Sequence, residues 1–157
     1  MRVTVIAVGT RMPSWVEQGV REYDRRLPRE LQLCWKEIAT ARRGGASAES
    51  LRVREGERQL GALPAGDRVV ALDVGGRRLS TQALADELQA WLMSGDNYSI
   101  LIGGPDGLSP ACLTRADQCW SLSDLTLPHG LVRVVLAEQL YRAWTIAVGH
   151  PYHRRKQ

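Results

Sequence analysis

Glycines that follow apolar runs mark two places where a ligand could approach the backbone closely. The pair Gly75-Gly76 comes shortly after the run Val69–Asp73, and the segment 103–107, Gly-Gly-Pro-Asp-Gly, directly follows Tyr98–Ile102. Neither segment has the glycine spacing of a dinucleotide fingerprint or of a phosphate-binding loop. The pattern therefore favours a ligand without phosphate, such as an adenosine derivative, although segment 103–107 is equally typical of a tight turn with no ligand.

The segment 120–129, Trp-Ser-Leu-Ser-Asp-Leu-Thr-Leu-Pro-His, is a second candidate binding element. It is too apolar for an ordinary surface loop, and Pro128 prevents it from continuing as a helix or a central strand. Ordered loops of this kind often bind ligands, and the backbone amides and carbonyls here could recognise an adenine edge. The alternative is a buried crossover that is held by packing alone.

The C-terminal segment from His150 onward is the third candidate. Gly149 and Pro151 are expected to end the helix before it. Tyr152 could stack on a base, and the three cations at positions 154–156 could contact phosphates. The alternative is a solvated basic terminus without a defined role.

Glu138 is a carboxylate within an otherwise apolar helical segment, which is a position that a catalytic group could occupy. Arg142 lies four residues further on, in the order that favours an ion pair along a helix. The spacing therefore favours a structural pair and leaves a catalytic role open.

The composition predicts one domain over residues 1–157, with a short basic tail at about 150–157. A chain of 157 residues with 44% hydrophobic residues has the size and composition of a single ordinary core. No run approaches the roughly 18 apolar residues that a membrane span requires, and the N-terminus lacks the apolar core of a signal peptide. We therefore expect a soluble chain that has no membrane partner.

The counts of cysteine and charge narrow the setting and the partner. Three cysteines without C-x-x-C spacing disfavour disulfides and a zinc site, so we expect a cytoplasmic protein with no bound metal. The formal net charge of +4 rests mostly on arginine, since Lys36 and Lys156 are the only lysines. Arginine forms forked bonds to phosphate and stacks on bases, which suits RNA, although GC-rich coding would enrich arginine equally.

Hydrophobic periodicity predicts strands and helices that alternate along the chain. The predicted strands are Val3–Val8, 31–38, Val69–Asp73, Tyr98–Ile102 and 120–122, and the predicted helices are 12–27, one capped by Ser47 that runs to about Leu60, one capped by Ser80 or Thr81, a short one from Ser109, and Leu131–Val148. This alternation predicts an α/β domain with a mostly parallel sheet flanked by helices. The last helix is apolar almost all round, so we expect it to be largely buried.

Together these segments resemble the RlmH family of ribosomal RNA methyltransferases. The matching stretches follow the family's order and extend from one end of the chain to the other. They are 7–10 (Ala-Val-Gly-Thr) with Met12-Pro13, Leu72-Asp73, 101–110 (Leu-Ile-Gly-Gly-Pro-Asp-Gly-Leu-Ser-Pro), 120–123 (Trp-Ser-Leu-Ser), 125–129 (Leu-Thr-Leu-Pro-His), 140–144 (Leu-Tyr-Arg-Ala-Trp) and 150–153 (His-Pro-Tyr-His).

The resemblance implies a SPOUT-type α/β knot, in which the C-terminal part of the chain forms a deep trefoil knot. It implies a homodimer whose cofactor pocket lies in the knot, close to the partner subunit. Gly130 departs from the family's usual residue and is expected to loosen the start of the last helix. The implied cofactor is S-adenosylmethionine, and the residues expected to bind it are Leu72, Asp73, Gly103, Gly104, Leu122, Ser123, Asp124, Leu125, Thr126, Leu127 and Pro128.

The resemblance also implies the reaction, which is methylation of N3 of pseudouridine 1915 in the 23S rRNA of assembled ribosomes. N3 must lose a proton, and His129 is the first candidate for the general base. His129 could equally orient the neighbouring loop or the tail by hydrogen bonds. The candidate catalytic residues are His129, Tyr152, Arg154 and Glu138, and those expected to contact RNA are His150, Tyr152, His153, Arg154 and Arg155.

Two other functions remain open from the sequence. A nucleotide-dependent oxidoreductase could use the same ends of the sheet, and it would bind NADH instead of S-adenosylmethionine. A non-catalytic ribosome-binding factor could use the basic tail to hold rRNA, and it would transfer no methyl group.

Overall fold

A computed structural model of the chain describes residues 1–154, in which strands and helices alternate as the sequence predicts. The elements are β1 (Arg2–Val8), α1 (Ser14–Asp24), β2 (Gln32–Ile38), α2 (Ala48–Gly61), β3 (Arg68–Arg78), α3 (Thr81–Ser94), β4 (Tyr98–Ile102), α4 (Pro110–Arg115), β5 (Gln118–Ser121), α5 (His129–Ala147) and a 3₁₀ helix (Pro151–Arg154). The predicted cap at Ser47 is confirmed, and Ser80 is the cap of α3, because each accepts a hydrogen bond from a backbone amide in the first turn of the helix that follows. Ser109, from which the sequence predicts a short helix, caps α4 in the same way.

The five strands form one parallel sheet in the order β2-β1-β4-β3-β5. Helices α1, α3 and α5 pack on one face, and α2 and α4 pack on the other. The predicted α/β class is therefore confirmed. All the strands run the same way, so their carboxyl ends share one edge of the sheet, which is where ligands bind in open α/β sheets. We call this edge the carboxyl edge.

The core on the α3–α5 face is built around aromatic side chains. Trp120 of β5 is fully buried, and Trp91 of α3 stacks on it with ring centroids 5.4 Å apart. Trp91 also stacks on Tyr98 of β4 at 3.9 Å. Every residue of α5 is buried or partly buried, which confirms the expectation from its apolar sequence. These contacts pack α3 and α5 against the side of the sheet that contains β3 and β5.

Two expectations from the sequence were wrong in detail. The strand predicted to end at Asp73 continues through Gly75 and Gly76 to Arg78. Leu72 and Arg77 both lie opposite Trp120 of β5, so residues 73–76 form a bulge between two paired stretches. The strand can resume because glycine at position 76 admits the backbone of β5 at close range.

Gly130 does not loosen the last helix, which begins one residue before it. A Cβ atom at position 130 would lie 2.9 Å from the Cγ2 atom of Val16 on α1. The absence of a side chain therefore lets α1 approach the first turn of α5 closely.

The residues 1–154 contain no helix that is long and apolar enough to cross a membrane. The trefoil knot and the single domain spanning the whole chain stay predictions, because no observation on the described residues tests them.

We predict that Gly76→Ala lowers the free energy of unfolding by about 1–3 kcal/mol. The reason is that the new Cβ would lie 2.7–2.8 Å from backbone atoms of Cys119 and Trp120. Gly75→Ala is the matched control, since its Cβ would meet only the movable Asp73 carboxylate, at 3.1 Å. Urea unfolding at equal protein concentration measures both. Equal midpoints for the two variants would contradict the close approach of β3 and β5.

Candidate functional site

A cleft of about 320 Å³ opens at the carboxyl edge, between the ends of β3 and β4 and the start of α5. Its volume is at the lower end of the range for small-molecule sites. The residues that line it include nine of those predicted to bind the cofactor: Leu72, Asp73, Gly103, Gly104, Leu122, Ser123, Leu125, Thr126 and Leu127. The fold therefore brings three separate segments of the sequence to one cavity.

The other two residues predicted to bind the cofactor, Asp124 and Pro128, lie beside the cleft and do not line it. Asp124 is exposed and forms an ion pair with Arg78, at 2.7 Å between Oδ1 and Nε. Pro128 is the N-cap residue of α5, and its fixed φ suits that position. Both therefore have a structural explanation.

The glycine turn (residues 103–107) forms one wall of the cleft. The Gly107 amide donates a hydrogen bond to the Gly104 carbonyl at 3.0 Å, so the interpretation as a tight turn is confirmed. A Cβ at position 103 would lie 2.5 Å from the carbonyl carbon of Gly107. Gly103 is thus required for the turn to close, and the closed turn leaves its backbone at the cavity surface.

The loop 122–128 forms the opposite wall and is held by its own serines. The Ser121 hydroxyl donates to the Ser123 carbonyl at 3.1 Å, and the Ser123 hydroxyl accepts from the Leu125 amide at 2.9 Å. Among residues 1–154, no arginine or lysine lines the cleft, and Asp73 is the only carboxylate that does. These residues therefore suit an apolar ring with hydroxyl or amino groups and offer no cation for a phosphate.

His129 stands at the inner end of the cleft, with its imidazole engaged in hydrogen bonds. Its Nε2 atom accepts a hydrogen bond from Nε of Arg133 at 3.0 Å, and the ring lies near the backbone of Gly103. Burial and then the Arg133 charge hold the pKa of His129 below its ordinary value of 6.5. The side chain is therefore neutral at physiological pH, but its lone pair is already occupied.

Arg133 was missed by the sequence analysis and is the centre of this network. Its side chain is only 4% exposed. Its guanidinium donates to the Gly9 carbonyl at 2.8 Å, to the Glu37 carboxylate and to His129. Gly9 follows β1 and Glu37 lies in β2, so one buried cation joins two strand ends to the first turns of α5. An arginine within an apolar helix, four residues after a histidine, was the signal for it.

The tail (residues 150–154) folds against the C-terminal half of α5 instead of extending into solvent. The Tyr152 ring packs edge-on against Tyr141 at 4.7 Å between centroids, and the Arg142 guanidinium lies 4.7 Å above its face. Arg142 also lies within hydrogen-bond distance of His153, at 3.2 Å. One face of Tyr152 is therefore already covered, and a base could stack only on the other.

Glu138 forms the predicted pair with Arg142, at 3.0 Å between Oε1 and Nε. The same carboxylate accepts a hydrogen bond from the Tyr152 hydroxyl at 3.3 Å. Burial, and then the Glu138 charge, raise the pKa of Tyr152 to about 12. Tyr152 is therefore a proton donor at neutral pH and cannot serve as a base.

The cleft and the tail lie at opposite ends of α5. Arg142 follows His129 by 13 residues on this helix, which corresponds to about 20 Å. The structure thus brings His129 together with the cleft, and brings Glu138, Tyr152, His153 and Arg154 together around a second, open cavity that His150 also lines. Within one chain it does not bring the two groups together. Arg155 lies outside the described residues.

Residues 1–154 contain no group of three or more histidine, cysteine or acidic side chains placed to hold a metal ion. Cys34, Cys112 and Cys119 are free thiols, of which Cys112 is buried.

Comparison with known proteins gives matches over nearly the whole chain. Residues 1–153 match the family described as "Predicted SPOUT methyltransferase". The chain is 57% identical over 155 residues to "Ribosomal RNA large subunit methyltransferase H" of Hahella chejuensis (strain KCTC 2396), which covers 98% of this chain and 99% of that protein. It is 54% identical over 155 residues to the protein of the same name from Marinomonas sp. (strain MWYL1), covering 98% and 100%.

A solved structure, that of a probable methylase family protein from Haemophilus influenzae Rd KW20, has a similar fold. The TM-score is 0.56 with 11% sequence identity, and the match covers 99% of this chain and 71% of that one. At this identity the likeness concerns the fold alone.

We predict that Arg133→Met raises the pKa of His129, because it removes a positive charge that disfavours the imidazolium. Glu37→Gln should lower the same pKa further, because the Glu37 charge favours the imidazolium. NMR titration of the imidazole measures both shifts. Arg142→Met, at the other end of α5, is the control and should leave His129 unchanged.

The same network makes folding stability depend on pH. The pKa of His129 is lower in the folded chain than in the unfolded one, so the contribution of His129 to stability is present above about pH 6.5 and is lost as the pH falls toward the folded pKa. His129→Gln should flatten that slope. The network would be contradicted if Arg133→Met lowered the pKa of His129 and Glu37→Gln raised it, or if His129→Gln left the slope of stability against pH unchanged.

Proposed function

We propose a reaction for this chain from its family, since it belongs to the SPOUT methyltransferases and, within them, to the ribosomal RNA large subunit methyltransferase H family. The proposed reaction is transfer of a methyl group from S-adenosylmethionine to N3 of pseudouridine 1915 in 23S rRNA. We infer that it takes place on assembled ribosomes in the cytoplasm. The observation that carries the proposal is a cleft that suits adenosine, in a chain that matches this family from end to end.

The residues of the cleft fit S-adenosylmethionine. Leu72, Leu122 and Leu127 supply apolar surface for an adenine ring. Backbone groups of Gly103 and of the loop 122–128 could form hydrogen bonds with the edge of that ring. The Asp73 carboxylate could accept hydrogen bonds from ribose hydroxyls. When bound, the cofactor supplies a methyl group that is attached to a sulfonium. Transfer of the methyl group leaves a neutral thioether.

The cleft fits the cofactor of an oxidoreductase less well. A pyrophosphate needs cations or several free backbone amides at a helix N-terminus. Within the described range 1–154, no arginine or lysine lines the cleft, and the first residue of α5 there is His129, whose side chain is one of the lining groups. We therefore favour the methyltransferase over the nucleotide-dependent oxidoreductase.

We infer that His129 positions the cleft and does not remove the N3 proton. Its Nε2 atom is already engaged by Arg133. Action as a base would require breaking the hydrogen bond from Arg133 and would bring a second positive charge next to a buried guanidinium. The N3 proton then passes to water, and the protein contributes orientation, which can supply much of a rate enhancement.

We propose that the tail acts on the cleft of the partner subunit in a homodimer. The separation of about 20 Å along α5 prevents Tyr152 from reaching the cleft of its own chain in this conformation. An antiparallel arrangement of two copies of α5 would bring each tail to the other cleft. There, protonated Tyr152 could donate to the uracil ring or stack on it, and Arg154, which is exposed, could hold a neighbouring phosphate.

The proposed function is tested with ribosomes from a strain that lacks the enzyme. We expect the purified chain and labelled S-adenosylmethionine to add one methyl group, which mass mapping locates at pseudouridine 1915. Incorporation at another nucleotide would correct the substrate. Ribosome binding without any incorporation would instead favour the non-catalytic factor.

We predict that His129→Asn weakens binding of S-adenosylmethionine but keeps kcat within about tenfold of the wild type, since the shorter asparagine side chain does not carry its acceptor oxygen to the position of Nε2 and so leaves Arg133 without this partner. His150→Asn, in the tail, is the matched control and should leave cofactor affinity unchanged. Calorimetry and single-turnover kinetics measure both. A general base would instead show a loss of kcat of about 10²–10⁴ and a changed pH–rate profile, which would refute the positioning role.

A further inference from the structure

The segment 39–46 between β2 and α2, here called the basic loop, has no part in the function proposed above, and yet it is held firmly in place. The Ala41 amide donates a hydrogen bond of 3.0 Å to Oε2 of Glu55, whose side chain is buried in α2. Ala41 is itself buried. A backbone bond from Ala46 to Arg43 then closes the turn that contains two glycines. The loop therefore presents its arginines from a fixed backbone.

The basic loop reaches the wall of the cleft. Nη2 of Arg43 lies 2.9 Å from Oδ2 of Asp106, which belongs to the glycine turn. The loop starts at the end of β2 and the glycine turn starts at the end of β4, so this contact spans the end of β1 between them. A group bound at the loop would consequently lie beside the mouth of the cleft.

Two exposed arginines, which follow the neighbouring strands β1 and β2, have no partner among residues 1–154. Arg42 lies between the two anchors of the basic loop, and Arg11 follows β1, next to the end of β2, where the Gly9 amide bonds to the Ile38 carbonyl at 2.7 Å. No hydrogen bond or ion pair is formed by either side chain within the described range. Arg11 also has a φ of 58°, a conformation that costs a non-glycine residue about 1–2 kcal/mol.

We propose that Arg42 and Arg11 form a phosphate clamp that holds the rRNA backbone beside the acceptor nucleotide, on the same subunit as the cleft that serves it. This inference rests on the proposed function. Arginine matches phosphate geometry, and a fixed loop loses little entropy when it binds. Each active site would then hold its RNA from two sides, by the clamp of one subunit and by the tail of the other.

The test is Arg42→Glu, compared with Arg29→Glu as a matched control. Arg29 is also exposed, but it precedes β2 and so lies at the opposite edge of the sheet, about 20 Å away. The measurements are the Kd for 70S ribosomes as a function of salt, the Kd for S-adenosylmethionine, and kcat at saturating ribosomes. The probes are ribosomes from a strain that lacks the enzyme.

We expect Arg42→Glu to weaken ribosome binding by about tenfold and to reduce the salt slope of log Kd by about one, as loss of a phosphate contact should. Cofactor affinity and kcat should stay within about twofold of the wild type, and Arg42→Lys should restore most of the affinity. If Arg42→Glu binds ribosomes like Arg29→Glu, the clamp is wrong. A loss of affinity with an unchanged salt slope would also refute it, because that result indicates a ribosomal protein at this surface.

The outcome is separable from the proposed function. If the wild type binds ribosomes but transfers no methyl group, the proposed reaction fails while the binding comparison still decides the clamp. If the wild type methylates rRNA and the two charge reversals behave alike, the clamp alone fails.

Discussion

The site depends on the buried guanidinium of Arg133. Burial of a cation costs several kcal/mol unless its donors are all satisfied, and here the Gly9 carbonyl, the Glu37 carboxylate and the His129 imidazole accept from it. Those partners belong to the ends of β1 and β2 and to the start of α5. His129 in turn lies near the backbone of Gly103, after β4. One charge thus ties α5 to the ends of β1 and β2, and the cleft lies beside them, between α5 and the ends of β3 and β4.

Helix α5 then separates the two groups of functional residues. Its first turn completes the cleft, and its last turns carry Glu138 and Arg142, which hold Tyr152. The helix is rigid and about 20 Å long between these groups, so motion of the tail by a few ångströms cannot join them. The separation is a direct reason to place the second half of each active site on another subunit. It also explains how α5, in which no residue is exposed, can contribute to a site at each of its ends.

The sequence predicted those features that depend on local chemistry. Helix caps at Ser47, Ser80 and Ser109 follow from side-chain bonds to nearby amides, and the Glu138–Arg142 pair follows from helix spacing. Nine of the eleven residues predicted to bind the cofactor line the cleft, but that prediction came from resemblance to a family. The extension of β3 to Arg78, the role of Gly130 and the network around Arg133 were missed. Each depends on contacts between residues far apart in the sequence, for which local periodicity gives no signal.

In the proposed homodimer, one subunit supplies the cleft and the other supplies the tail. The most direct measurement is the methyltransferase activity of a purified heterodimer, in which one subunit carries Leu127→Trp to fill the cleft and the other lacks residues 150–157. Each homodimer should be inactive. Action across the interface predicts about half of the wild-type activity in the heterodimer, since one intact cleft then faces one intact tail. No activity in a correctly assembled heterodimer would contradict the account, because it would show that each tail serves its own subunit.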